Sequence, residues 1–467
     1  MKLFSKETYI HRRRILQQEM GKGLLIFLGN QESGMNYADN TYRFRQDSSF
    51  LYYFGLDMAG LAAIIDVDED REIVFGNELT IDDIVWTGMQ PTLQETCGKV
   101  GIMKTLPLKE LKEYIDKARA KGQTIHFLPP YRGEHQVWLQ ELTGLLPSEQ
   151  SAKASVPFIK AIVKQRNYKS DEEIEAIEEA IDISTEMHLK AYSMVRPGVK
   201  ESEIAAAVEE VAHRHGQTIS FPTIATVQGQ VLHNHGYIHT LQDGDIFLLD
   251  AGAENHLHYA GDLSSSMPVN DMFSERQAYI YNLHLSSFQA AVDELKPGVP
   301  FRNAHIAAAT KIVEGMKELG LMKGNARDAA ECGAYALFFP CGLGHMMGLD
   351  VHDMENLGEQ YVGYADGMEK SKQFGFKSLR LARPLEPGFV FTVEPGIYFI
   401  PELMDKWEAE HQFTDFINYD KLKDWRDFTG LRYDLDYLIT KDGARVLGHL
   451  KNPMTIEEVM NAKNTKI

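Results

Sequence analysis

At 467 residues, with 48 basic against 67 acidic side chains, the chain carries a formal charge of −19, which opposes association with nucleic acid or an anionic membrane surface. Three cysteines, Cys97, Cys332 and Cys341, are too few for a disulfide framework, and no apolar run approaches the roughly twenty residues needed to cross a bilayer. The opening MKLFSKETYIHRRR is charged and lacks an apolar core segment, so no signal peptide is expected and the cytoplasm is the expected compartment.

The length accommodates roughly two or three domains with substantial cores. Over the first 165 residues, apolar runs of strand length at 24–28, 61–67, 73–75 and 125–128 alternate with amphipathic helical stretches such as 107–121. That alternation predicts an α/β domain at 1–165, with a second domain over 166–467. Within the first lies RQDSSFLYYFGLD, residues 45–57, whose Phe50, Tyr52, Tyr53 and Phe54 read by themselves as core packing.

A helix is predicted from Asp171 to Val195, opened by Ser170-Asp171-Glu172-Glu173, in which Ser170 can cap and Glu173 can reach back. It closes at Arg196-Pro197-Gly198, and a second helix runs from near Ser202 to His215, ended by Gly216. About a hundred residues later the arrangement recurs: a helix-length stretch at 275–295 stops at Lys296-Pro297-Gly298 and another begins near Asn303. RPGVKESEIAA and KPGVPFRNAHIAA share their Pro-Gly-Val and Ile-Ala-Ala elements, and each copy precedes a strand-rich segment. This predicts an internal duplication, helices then strands, twice over.

In the first copy, Ile246 to Leu249 is a short buried-strand pattern that delivers Asp250. A turn near Glu254 to His256 and a second strand would return Asp262 beside it. Two carboxylates brought together repel unless a proton or a cation lies between them; capping a turn and holding a metal both remain open for this pair. The second copy offers CGLGHMMGLDVHD at 341–353 around His345, VFTVEPGIY at 390–398 around Glu394, and GLRYDLDYLIT at 430–440. In the last, period-two alternation sets Arg432, Asp434 and Asp436 on one face. Singly, each has a plain structural reading: a core histidine, the partner of an arginine, a solvated edge.

Taken in order, Asp250, Asp262, His345, Glu394 and the acidic residue of a Gly-x-Arg-x-acidic strand resemble the dinuclear-metal pita-bread peptidases, namely aminopeptidase P, prolidase and methionine aminopeptidase. The likeness is greatest to aminopeptidase P, the Xaa-Pro aminopeptidases, with 45–57 resembling that family's N-terminal motif and 166–450 its catalytic domain. The resemblance implies an N-terminal α/β domain followed by a duplicated pita-bread catalytic domain. It also implies a cytosolic metallopeptidase that removes an N-terminal residue preceding proline through a metal-bridging hydroxide. Its substrate would be a peptide with proline in second position, and the chain would form a homo-oligomer, a dimer or tetramer.

On the same resemblance the metal ligands are Asp250, Asp262, His345, Glu394 and Asp434. Four carboxylates and one imidazole suit two divalent ions, Mn²⁺ in preference to Zn²⁺. Glu394 would also handle the nucleophile's proton, His233 in QVLHNHG would stand near the substrate, and His352 would help stabilise the tetrahedral intermediate. Arg432 would orient an acidic ligand from behind, whereas His235, His239, His256 and His258 read as surface or loop residues.

The chain departs from the family pattern in three places. Asp434 stands where glutamate is usual, with Asp436 on the same face as a substitute; Cys341 stands where histidine is usual; and 262–268 lacks an arginine. Residues 354–386 read as an insertion beside the site that sets substrate length. Prolidase action on Xaa-Pro dipeptides and a catalytically impaired pita-bread binding protein are the alternatives these features motivate.

Overall fold

Strand-length apolar runs and capped amphipathic helices set the architecture of the computed structural model, which describes residues 3–465. The chain divides into two units, one formed by residues up to Arg166 together with Met354–Tyr361, the other by Asn167–Asp353 and the residues from Val362 onward.

In the first unit, β1 (Leu24–Leu28), β2 (Ala62–Asp66), β3 (Arg71–Phe75), β4 (Thr105–Leu106) and β5 (Ile125–His126) form one sheet in the order β4-β3-β2-β1-β5. The β1, β2 and β3 pairs are antiparallel, whereas the two edge pairs are parallel. Because successive side chains of a strand point to opposite faces, Leu24 and Ile26 join Ile64, Ile73 and Phe75 against Leu111, Ile115 and Ala118. Phe27, on the other face, meets Tyr53, Phe54 and Phe158 with ring centroids 5.2–5.3 Å apart. Each such apolar side chain contributes about 1.5–3 kcal/mol on burial. The aromatic run lies on the helix Ser48–Phe54, capped by Asp47, and Phe50, Tyr52, Tyr53 and Phe54 are all buried, as core packing requires.

The second unit carries the repeat. Helix α1 (Asp171–Met194) begins with the expected capping box, in which Glu173 N donates to Ser170 Oγ and Ser170 N to Glu173. It is followed by α2 (Glu201–Arg214) and by the antiparallel sheet of β6 (Ile224–Thr226), β7 (Ile246–Ala251) and β8 (Leu263–Pro268). The second copy opens with α3 (Glu275–Val292) and α4 (Phe301–Glu318) and closes with a group of short strands. These are β9 (Val390–Val393), β10 (Gly396–Tyr398), β11 (Gly430–Arg432), β12 (Leu435–Ile439) and β13 (Ala444–Val446), of which β10 pairs with β11, and β12 lies between β13 and β9.

The hydrogen bonds of the two copies match closely. Gly198 N donates to Leu241 O and Leu241 N to Val199 O, each 2.9 Å; Gly298 N donates to Leu385 O at 2.8 Å and Leu385 N to Val299 O at 2.9 Å. Each leucine precedes an acid by nine residues, Leu241 to Asp250 and Leu385 to Glu394. Asp250 and Glu394 therefore occupy equivalent positions at the ends of equivalent strands.

Candidate metal centre

Register brings the first two carboxylates together. The β7–β8 pairing sets Asp250 opposite Ser264 and Ala251 opposite Leu263, so Asp262 arrives beside the end of β7 after a turn in which His258 N donates to Asn255 O. The close approach that follows requires glycine: a Cβ on Gly252 would lie 2.0 Å from the Gly261 carbonyl oxygen.

His345 is delivered by an irregular segment laid along β9. Its N–H donates to Thr392 Oγ1 at 3.1 Å, Thr392 N donates to its carbonyl at 3.0 Å, and Glu394 N donates to Leu343 O at 2.7 Å. Here too only glycine fits, since a Cβ on Gly344 would meet the Thr392 carbonyl oxygen at 2.0 Å. Immediately after the last of these bonds, Pro395 separates β9 from β10, so Glu394 stands at a break between two ladders.

The chain switches ladders again at Tyr433 and Asp434. β11 belongs with β10, whereas β12 pairs with β9. Asp434 is held in this gap by its N–H to Ser264 O, 3.2 Å. Asp436 accepts from Asp262 N at 3.3 Å. Arg432 donates to Ser264 Oγ at 2.9 Å, to the Tyr398 hydroxyl at 3.1 Å and to the Asp250 carboxylate.

The result is a cavity of about 240 Å³ whose wall includes Asp250, Asp262, His345, Glu394 and Asp434, together with His233, His352, Cys341 and Arg432. His345 Nε2 lies 3.2 Å from Glu394 and 3.4 Å from Asp262, and its ring meets that of His352 edge-on at 4.2 Å. Asp436 is buried but belongs behind the wall, against the Asp262 backbone.

So many acids in one buried place disturb one another's ionisation. Burial first, then the charges of Asp262 and Glu394, push the carboxyls of Asp250, Asp434 and Asp436 above their ordinary range, and Arg432 offsets this only in part at Asp250. Burial would lower the His345 imidazole, yet its bonds to Asp262 and Glu394 outweigh it and raise the ring. Burial likewise pushes Glu394 up, but the His345 bond and the charges of His345, Arg432 and His352 hold it down. Burial and Glu394 drive the Cys341 thiol up to about 12, so it is neutral near pH 7.

The donor set fits divalent cations. Asp434 Oδ1 and Asp436 Oδ1 are buried acceptors without a hydrogen-bond partner, and a buried, unpaired acceptor is costly until something positive reaches it. Oxygen donors with one imidazole suit divalent metal ions. Among the described residues no three acidic, histidine or cysteine side chains already enclose a common point. Asp250 is instead engaged by Arg432, and the His345 proton lies between Asp262 and Glu394.

Two wall residues have no pattern in the sequence. Arg380 and His235 both line the cavity; His235, expected to be a surface or loop residue, is exposed but its ring stacks 6.5 Å from that of His233 on the cavity rim. Arg380 sits in KSLRLAR among other cations, and only its neighbours in space single it out. His239, His256 and His258 instead pair with Glu201, Glu179 and Glu254 outside the cavity.

Residues 175–441 match the model of metallopeptidase family M24, and residues 9–126 match that of the aminopeptidase P N-terminal domain. The chain is 30% identical to human Xaa-Pro dipeptidase over 447 residues, which cover 93% of this chain and 87% of that protein. It is 26% identical to the Xaa-Pro aminopeptidase of Escherichia coli over 479 residues, 99% of each. The fold matches that of zinc-substituted E. coli aminopeptidase P with a TM-score of 0.80 at 24% identity, covering 100% of both chains.

Proposed function

The chain belongs to metallopeptidase family M24, and from that membership we propose that it hydrolyses the bond between an N-terminal residue and a following proline in short peptides. One observation carries this reading: Asp250, Asp262, His345, Glu394 and Asp434, drawn from distant parts of the chain, line one cavity. Family membership implies divalent metal ions, which these five residues would hold, and Mn²⁺ is the ion their chemistry favours. When bound, such a pair supplies a polarised carbonyl and a water acidic enough to attack near neutral pH.

The chain's own groups do the rest. Glu394, kept ionised by His345, Arg432 and His352, takes the proton released by the attacking water and passes it to the departing nitrogen. His352, within ring contact of His345, donates toward the oxygen on which negative charge develops. His233 is held below its ordinary range, first by burial and then by Arg432 and Arg380, and is a neutral partner for the substrate beside the cavity. Arg432 fixes Asp250 through a charge-assisted bond. The Cys341 thiol occupies wall space that a histidine would fill in related sites, and it contributes no charge there.

A second reading, cleavage of Xaa-Pro dipeptides, is favoured by Arg380. A guanidinium in the cavity wall offers a planar fork matched to a carboxylate, and only in a dipeptide does proline carry its own free carboxylate. Rates on Ala-Pro and on Ala-Pro-Ala with Mn²⁺ separate the two. Turnover of both supports the aminopeptidase reading, and turnover of the dipeptide alone replaces it with the dipeptidase one.

No helix among the described residues is long and apolar enough to cross a membrane; the compartment proposed for the activity is the cytoplasm. Assembly into a dimer or tetramer, and a division of labour between an N-terminal domain at 1–165 and a catalytic domain at 166–467, complete the proposal.

A further inference from the structure

The duplication leaves the same backbone atom exposed to the same problem twice. Immediately after Asp250 and Glu394 come Ala251, the last residue of β7, and Pro395, which lies between β9 and β10. Both residues are buried, and at each point the strand's own ladder is ending, so the carbonyl needs a donor from elsewhere.

Each copy supplies an imidazole. His188, on α1, places Nε2 3.0 Å from Ala251 O, and His284, on α3, places Nε2 2.7 Å from Pro395 O. Both histidines are 0% exposed. A carbonyl can only accept, so the proton of each ring is on Nε2. His188 uses its other nitrogen against Ser265 Oγ of β8, at 2.7 Å, and so ties together the two strands that present Asp250 and Asp262. His284 Nδ1 meets no partner, so the ring makes a single hydrogen bond, the one next to Glu394. Burial holds both rings neutral, at about 4.

The two bonds are not one inherited feature. His188 lies ten residues before Gly198, whereas His284 lies fourteen before Gly298, a difference of about one helical turn. The positions equivalent by the repeat are filled by Phe288 and Ser184, and the Ser184 hydroxyl instead donates to Ala180 O and accepts from Ala253 N. The same carbonyl is thus reached from two different turns of equivalent helices, which points to a requirement at the carbonyl rather than to a remnant of duplication.

We infer that His284 is a positioning residue for Glu394, fixing from α3 the backbone turn that follows it, as His188 fixes from α1 the turn that follows Asp250. This rests on the reading of Glu394 as a metal-holding and proton-handling carboxylate. Its side chain lies 3.2 Å from His345, and a misplacement of about 1 Å at such a group can cost roughly a hundredfold in rate.

The test compares His284→Leu, which removes the donor, with His284→Gln, whose amide can still donate. Mn²⁺ affinity of the metal-stripped protein is measured by calorimetry, alongside kcat and KM on Ala-Pro and the melting temperature. His284→Leu is expected to weaken Mn²⁺ binding and lower kcat at least tenfold with KM within about twofold, and His284→Gln to recover most of both. A folded His284→Leu with wild-type affinity and kcat overturns the inference, as does a Gln variant no better than Leu. If Leu does not fold, His284→Met is read by the same criteria. Failure of both to fold also overturns it, by making the residue purely structural. Absence of peptidase activity in the wild type would count against the proposed function, whereas the affinity comparison among variants still judges His284.

Discussion

Asp434 is the residue at which stability and function oppose each other most directly. It is buried, its Oδ1 has no partner, and it faces the charges of Asp262, Glu394, Asp436 and Asp250. Asp434→Asn removes one member of a repelling group, so the metal-stripped variant is expected to melt at or above the wild-type temperature, while Mn²⁺ no longer raises that temperature to the wild-type extent. Its kcat/KM should fall by roughly a hundredfold, the scale of losing a preorganised charged group at a reacting centre. Calorimetric scans with and without Mn²⁺, plus a single rate assay, check all three outcomes. Arg380→Gln tests the other wall: KM for Ala-Pro should rise about tenfold or more, with a much smaller change for Ala-Pro-amide, which has no carboxylate to recognise. Equal effects on the two substrates would remove Arg380 from carboxylate recognition.

At the scale of elements, the loop bearing His352 depends on an ion pair in the core of its unit. Lys169 Nζ lies 2.8 Å from Asp353 Oδ2, with both side chains 1% exposed. Breaking a buried pair by removing one partner leaves an uncompensated charge and costs about 3–5 kcal/mol. Lys169→Met is therefore expected to lose about that much stability in urea unfolding, and Lys169→Met/Asp353→Leu distinctly less. Much of the element plan was legible: α1 begins at the expected Ser170 cap, and Gly198 and Gly298 end equivalent segments. The strand breaks at Pro395 and at Tyr433–Asp434 were less so, because GLRYDLDYLIT alternates without interruption while its pairing partner changes from β10 to β9. Period-two alternation reports which face a residue takes, not which neighbour it pairs with.

For the whole molecule, acid stability reflects the histidines buried without charge. His305, wholly buried with Nε2 2.6 Å from the Tyr335 hydroxyl, is lowered to about 3, by burial first and by Arg302 second. Its unfolded value is about 6.5, so between about 6.5 and 3 the unfolded chain binds a proton that the folded one does not, and stability falls as pH falls. The raised carboxyls of the metal-stripped site act in the opposite direction, so the measurement is a difference. The unfolding free energy of the wild type should fall more steeply across this window than that of His305→Gln, by up to about 1.4 kcal/mol per pH unit; parallel curves would show that His305 is not a source of acid sensitivity. Mn²⁺ should raise the melting temperature of the wild type with ion concentration, and chelation should reverse the rise, because an ion bound only by the folded state stabilises it by mass action. The sequence by itself determined the kinds of group available, the repeat and the strand ends that would carry Asp250 and Glu394, because periodicity, capping and turn chemistry are local. Only the tertiary structure decided that Asp434 and not Asp436 reaches the cavity, that Arg380 joins its wall, and that His188 and His284 brace the two halves, because each of these depends on which distant backbone fills the space beside it.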